Sequence, residues 1–244
     1  MHETDLPVDD PSTAHVVVHP SDGSGVAELT RHRRGMLTSL SVLVTSAGPD
    51  ASALVHAVTD WAPPQYRIDF VLVADGPEPD VGDRAGISRH LDRLAWAWES
   101  VERPAGGRAS AIDRASAVST GEFVVVATAG VTSVEPLTGA LGHLWVNGAD
   151  ALIVGGTAPD PGIADDSGDT RADRLGAALG LRRGAPGSSP GIVVLRRWVA
   201  RFLFDDIGRA LDPIEEFAER VQLLELRLVE VVGAGRLNRP DGTR

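Results

Sequence analysis

The chain of 244 residues contains no cysteine, and that single absence excludes disulfides, thiolate zinc sites and cysteine nucleophiles. It also lacks any apolar run approaching the roughly twenty residues needed to cross a bilayer. Its first ten residues, from Met1 to Asp10, are acidic and show neither the basic start nor the apolar stretch of a secretory leader. These absences predict a cytoplasmic protein with no transmembrane segment. Basic charge is scarce as well: 23 Lys and Arg stand against 34 Asp and Glu, a formal net charge of −11. Nucleic acid is normally held by a basic surface, so it is not an expected partner. The short clusters Arg31, Arg33, Arg34 and Arg182, Arg183 read as solvated surface. A single nucleotide is still compatible with an acidic chain, because backbone N–H groups in a local pocket can hold its phosphates.

What is present suits one domain with a sizeable core, 43% of the residues being hydrophobic. Residues 1–35 alternate Asp, Pro, Ser and Gly and read as a disordered tail. The one apolar island there, Val16-Val17-Val18, fits a mobile arm better than an added edge strand. Order is expected from Met36, giving a domain at 36–233 and a second tail at 234–244.

Inside that domain, short apolar runs alternate with amphipathic segments. Strands are predicted at Leu40 to Thr45, Ile68 to Ala74, Ala95 to Val101, Glu122 to Thr128, Asp150 to Gly155 and Gly191 to Leu195. Asp50 is placed to cap a helix whose Leu54, Ala57, Val58 and Trp61 share a face. Further helices are predicted around 85–94, from Gly107 to about Ser119, and after Ser133 through Leu137, Leu141 and Leu144. Late in the chain a helical pattern runs through Trp198, Phe202 and Ile207. A last helix starts at Asp212 with the stripe Ile214, Phe217, Val221, Leu224 and Leu228. This alternation predicts an α/β fold, a three-layer α/β/α sandwich around a mostly parallel central sheet. In such sheets ligands bind beyond the carboxyl ends of the strands, so a site is expected just after Thr45, Ala74 and Thr128.

Between Gly156 and Gly191 the pattern gives way to a Gly/Pro/Asp-rich stretch with one helix at Thr170 to Leu179. Its acids Asp160, Asp165, Asp166, Asp169 and Asp173 match no calcium-loop spacing and read as a solvated linker. Gly187-Ser188-Ser189-Pro190-Gly191 has the spacing of a hydrolase elbow. That elbow needs a strand before it and a helix after it, and here a loop precedes and a strand follows. Of the seven histidines, His15 and His19 lie in the presumed tail, and no helical His-x-x-x-His pair is found, so zinc is not expected.

The order of the pieces from Leu40 to Gly233 resembles the family-2 glycosyltransferases. The resemblance rests on Thr45-Ser46-Ala47-Gly48 after the first strand and Ala74-Asp75-Gly76-Pro77 after the second. It continues in the helix Gly107-Arg108-Ala109-Ser110-Ala111-Ile112-Asp113, in Thr120-Gly121-Glu122-Phe123, and in the segment from Gly148 to Gly155. It implies a GT-A fold of the nucleotide-diphospho-sugar transferase type. It also implies a nucleotide-sugar ligand contacted by Thr45, Ser46, Asp75, Asp113, Thr128 and Gly130.

The departures are specific. Where the family carries the Asp-x-Asp that binds a divalent ion, this chain has Thr128-Ala129-Gly130, so neither a metal nor another cofactor is expected. The nucleobase-stacking aromatic of the first turn is Ala47, and one acid, Asp75, remains of two. The family's catalytic base falls at Glu215-Glu216, which nominates Glu216. The same stretch, Asp212-Pro213-Ile214-Glu215, is also a helix-capping pattern. Two functions follow from this. One is a degenerate relative that binds a nucleotide-sugar or scaffolds a protein partner, such as an active transferase. The other is an active, metal-independent transferase in which Arg108, Arg114 or a loop arginine supplies the missing charge.

Overall fold

The computed structural model describes residues 15–18, 38–45, 49–62, 66–74, 81–102, 107–127, 148–155, 171–181 and 191–232, with positions 134, 137, 140–142 and 144. Expectations for the rest of residues 1–35 and for 234–244 lie outside the described residues. So do those for the acids at 160–169 and for the elbow-like serines.

Eight strands form one sheet: β1 (His15–Val18), β2 (Thr38–Val44), β3 (Tyr66–Ala74), β4 (Ala97–Glu102), β5 (Phe123–Ala127), β6 (Ala151–Val154), β7 (Ile192–Arg196) and β8 (Leu228–Val232). Their order is β1-β8-β6-β7-β5-β2-β3-β4. The pairs β2–β3, β2–β5, β3–β4 and β6–β8 are parallel, whereas β7 runs antiparallel to both β5 and β6, and β1 to β8. The sheet is therefore mostly parallel, as the alternation of runs predicts.

Six described α-helices cover it: α1 (Pro49–Trp61), α2 (Val81–Arg93), α3 (Gly107–Val118), α4 (Arg171–Ala178), α5 (Arg197–Phe204) and α6 (Pro213–Leu223). Successive strand residues point to opposite faces, so β2 sends Leu40, Val42 and Val44 into one apolar layer and Leu43 into the other. The first layer is closed by α1, α2 and the buried Leu137, Leu141 and Leu144. The second is closed by α3, α4, α5 and α6. Both faces of the sheet are thus covered, which is why β5 (FVVVA) is buried along its whole length. Each fully buried Leu, Ile or Phe contributes roughly 1.5–3 kcal/mol, so this core sustains the fold whatever the chemistry at its edge.

The Thr120-Gly121-Glu122 segment has a structural role at the opposite end of the sheet from the expected site. The Thr120 hydroxyl donates to Asp69 Oδ2 at 2.5 Å. The Gly121 N–H donates to Ser41 Oγ at 2.8 Å, and the Glu122 N–H to Ser39 Oγ at 2.9 Å. A side chain at position 121 would lie 2.5 Å from the Ser41 nitrogen, so only glycine lets this turn seat against β2 and start β5.

Three expectations are corrected. The island at Val16–Val18, read as part of a mobile arm, pairs as an edge strand with β8. The final apolar stripe does not continue as helix through Leu224 and Leu228. The helix ends at Leu223, Glu225 turns the chain with φ 47°, and the β-branched run Val229, Val231, Val232 becomes β8. Finally, the pattern Trp198, Phe202, Ile207 does not mark one buried face. Val199, Ala200, Leu203 and Phe204 are the buried residues of α5, while Trp198 and Phe202 face outward.

Candidate functional site

The strand order reverses direction about β2, which has β3 and β4 on one flank and β5 on the other. The crevice of such a sheet lies at the carboxyl ends of the strands around that switch. Leu43 pairs with Val126, so β2 and β5 end side by side, at Val44 and Ala127. Ser46, Asp75, Thr128 and Gly130, expected to contact a ligand, follow these strands in sequence but lie outside the described residues. Thr45, Asp113 and Glu216 are described.

Thr45 directly follows β2 and is buried, 6% exposed, with no hydrogen-bond partner for its Oγ1 among the described residues. A buried hydroxyl without a partner costs about 1–3 kcal/mol, so Thr45 Oγ1 is an unmet hydrogen-bonding group at the carboxyl end of β2.

Arg108, in the first turn of α3, reaches across the end of β5. Its Nε donates to the Leu179 carbonyl at 2.5 Å and one terminal nitrogen donates to the Ala127 carbonyl at 3.0 Å. Gly180, with φ +68°, leaves room for it: a side chain there would come within 3.3 Å of the guanidinium stem. The guanidinium therefore fixes a positive charge at the carboxyl end of β5 and ties α3 to the end of α4.

Asp113 sits deeper on α3. Burial raises its pKa first, and the carboxylates of Asp205 and Asp206 raise it further, against the opposing effect of Arg114 and Arg220. It faces the turn after α5 and is not brought together with Thr45 by any described contact. An Asp whose folded pKa is raised gives stability that is complete below its unfolded value, near 4, and is lost as pH rises through the folded value. Asp113→Asn is therefore expected to raise the melting temperature at pH 7 relative to the parent, the gain vanishing at acidic pH. Thermal melts at both pH values check this.

Glu216 lies in the second half-turn of α6 and is held by Arg220, Oε1 to Nε at 2.6 Å. Arg220 in turn donates through one nitrogen to the carbonyls of Phe202 and Asp205, at 3.1 and 2.7 Å. It thus caps the C-terminal carbonyls left over by α5. The helix start is capped as its pattern predicts, Asp212 Oδ1 accepting from the N–H groups of Ile214 and Glu215 at 2.9 and 3.1 Å. Sequence reasoning did not find Arg220. The signal was present, a Glu–Arg pair at i, i+4, but such pairs are common on exposed helix faces and carry no mark of a tertiary role.

Solved structures give the comparison that sequence does not. No protein-family model matches the chain, and no curated protein matches it. TarS of S. aureus, residues 1–349, superposes with a TM-score of 0.52 at 14% identity, covering 80% of this chain and 58% of that one. Glucosyl-3-phosphoglycerate synthase of Mycobacterium tuberculosis, crystallised with Mn2+, UDP-glucose and phosphoglyceric acid, gives a TM-score of 0.50 at 14% identity. It covers 90% of this chain and 78% of that one. The fold is GT-A.

The chain thus spans a little over half the length of the TarS structure, and at these identities the likeness extends to the fold alone. Within this GT-A sheet, the residues present do not fit the divalent ion that the resemblance implies. The stretch after β5 reads Thr128-Ala129-Gly130, which offers no carboxylate. The guanidinium of Arg108 already sets a positive charge at the last residue of β5. A hard cation wants several oxygen ligands, including carboxylates. Among the described residues no group of three or more His, Asp or Glu could hold a metal ion, and no helix is long and apolar enough to cross a membrane.

Proposed function

We propose that this GT-A protein binds a nucleotide or nucleotide-sugar without a metal ion and does not carry out sugar transfer. The observation that supports this best is the state of Glu216. The carboxylate nominated as base is engaged by Arg220 in a clamp that also secures α5 to α6, so its charge is committed to the fold. A general base must turn a lone pair to the proton it removes, and here Glu216 Oε1 is turned to the Arg220 guanidinium. Two groups suited to a polar ligand stand at the carboxyl ends of the central strands: the unpaired Thr45 hydroxyl after β2 and the Arg108 guanidinium held at the end of β5. A protein of this kind serves as a sensor of nucleotide-sugar or as a scaffold beside an active transferase.

The second reading, metal-independent transfer, draws on Arg108 as a substitute for the ion in offsetting leaving-group charge. The two readings part in a turnover assay. Incubated with UDP- and GDP-sugars, with and without Mn2+, the protein is expected to release no nucleotide above background, and Glu216→Gln is expected to change nothing. Nucleotide release that Glu216→Gln abolishes, in a variant that melts like the parent, would establish the second reading and overturn the first.

A further inference from the structure

Five of the six large apolar side chains exposed among the described residues fall between positions 198 and 223: Trp198, Phe202, Leu211, Ile214 and Leu223. Trp198 and Phe202 are 54% and 41% exposed, on a helix that buries its other side fully. At about 100° per residue, Trp198, Arg201, Phe202 and Asp205 fall within an arc of roughly 100° on α5 and its C-cap, opposite Val199, Ala200, Leu203 and Phe204. This outward stripe is aromatic along its middle, basic at Arg201 and acidic at Asp205. Among the described residues, neither Arg201 nor the Asp205 side chain has an ion-pair partner. Arg197 points away from the stripe and donates to the carbonyls of Ser119 and Thr120.

We propose that this stripe is an interface for a second copy of the same chain, packed antiparallel through α5 about a two-fold axis. A helix rises about 1.5 Å per residue, so Arg201 and Asp205 are about 6 Å apart along the axis. A two-fold axis midway between them sets Arg201 of one protomer level with Asp205 of its partner, twice. Both residues lie on the same flank of the stripe, as a two-fold perpendicular to the helices requires. The same operation brings the two Phe202 rings together, with Trp198 covering the ends of the contact.

An isologous interface must be complementary to itself, and a stripe with opposite charges one turn apart around an aromatic centre has that property. An anionic membrane surface is a poorer match. The chain carries −11 overall, and Asp205, Asp206, Asp212 and Glu215 follow the aromatics directly. A stable dimer buries about 800 Å² per partner, more than one face of an eight-residue helix supplies, so surface flanking α5 joins the contact.

Sedimentation of the full chain tests the proposal. The wild type is expected to sediment as a dimer at tens of micromolar concentration. Trp198→Glu, Arg201→Asp and Asp205→Arg are each expected to give monomers, with wild-type circular dichroism because all three side chains are exposed. An equimolar mixture of Arg201→Asp with Asp205→Arg chains is expected to recover the dimer, since each arginine again faces an aspartate. A wild type that stays monomeric overturns the proposal, as does a dimer indifferent to Trp198→Glu or a charge-swapped mixture that stays monomeric. Flotation of the wild type on vesicles of anionic phospholipid, lost in Trp198→Glu, would overturn it in favour of a bilayer.

Discussion

Gly121→Val is expected to lower the stability of this protein by about 3 kcal/mol, the largest effect of any single substitution considered. The side chain it introduces would meet backbone, the Ser41 nitrogen at 2.5 Å and the Leu40 carbonyl carbon at 2.7 Å, and backbone in the middle of a sheet cannot rotate aside. To relieve the overlap, the turn must lift from β2, and lifting it breaks the hydrogen bonds from Gly121 and Glu122 to Ser41 and Ser39. Each such bond contributes about 1 kcal/mol. Urea denaturation reads the outcome as a midpoint lowered by roughly 1–2 M for a chain of this size. A midpoint within a few tenths molar of the parent would show that the turn is adaptable and that its glycine is incidental.

Arg220→Ala is expected to cost about 2–3 kcal/mol, because one side chain supports Glu216 and the carbonyls of Phe202, Leu203 and Asp205. Its removal strips donors from the carbonyls of Phe202 and Asp205 and leaves Glu216 half-buried without its counter-ion. The figure is set below that of a fully buried pair because Glu216 is 37% exposed and water will reach it. Glu216→Gln, which keeps an acceptor for Arg220, is expected to cost under about 1 kcal/mol. If Arg220→Ala were no worse than Glu216→Gln in the same melt, Arg220 would not be the joint between α5 and α6, and Glu216 would not be committed to it.

The parts of this fold that sequence makes legible are those where burial on both faces leaves a continuous apolar run. Leu40 to Val44, Ile68 to Ala74 and Phe123 to Ala127 need no tertiary information to be read as strands. The last strand is different. Leu224 and Leu228 prolong the spacing of the preceding helix, and the break between them is made by Glu225 in a left-handed conformation that glycine would have advertised. The outward stripe of α5 misleads for a related reason: Trp198 and Phe202 share a helical face, as core residues do, and only the packing of Val199, Leu203 and Phe204 shows which face is inside.

At the site the sequence names positions but not commitments. The family-like glycine before β5 proves to be a seat for a turn. Glu216 proves to be half of an ion pair whose other half, Arg220, gives no sign in the sequence of reaching across to α5. The sequence offers Arg108 as a source of charge, and its hydrogen bonds to the ends of β5 and α4 become visible only when those distant segments are placed together.

Binding of a nucleotide without a metal ion is read by calorimetric titration of the protein with UDP, GDP and their sugars, in the presence and absence of Mn2+. One of these nucleotides is expected to bind in the micromolar range, with the same affinity in chelator as in Mn2+, and several-fold more weakly to Thr45→Val. Binding that appears only with Mn2+, or no binding of any nucleotide under either condition, would contradict it.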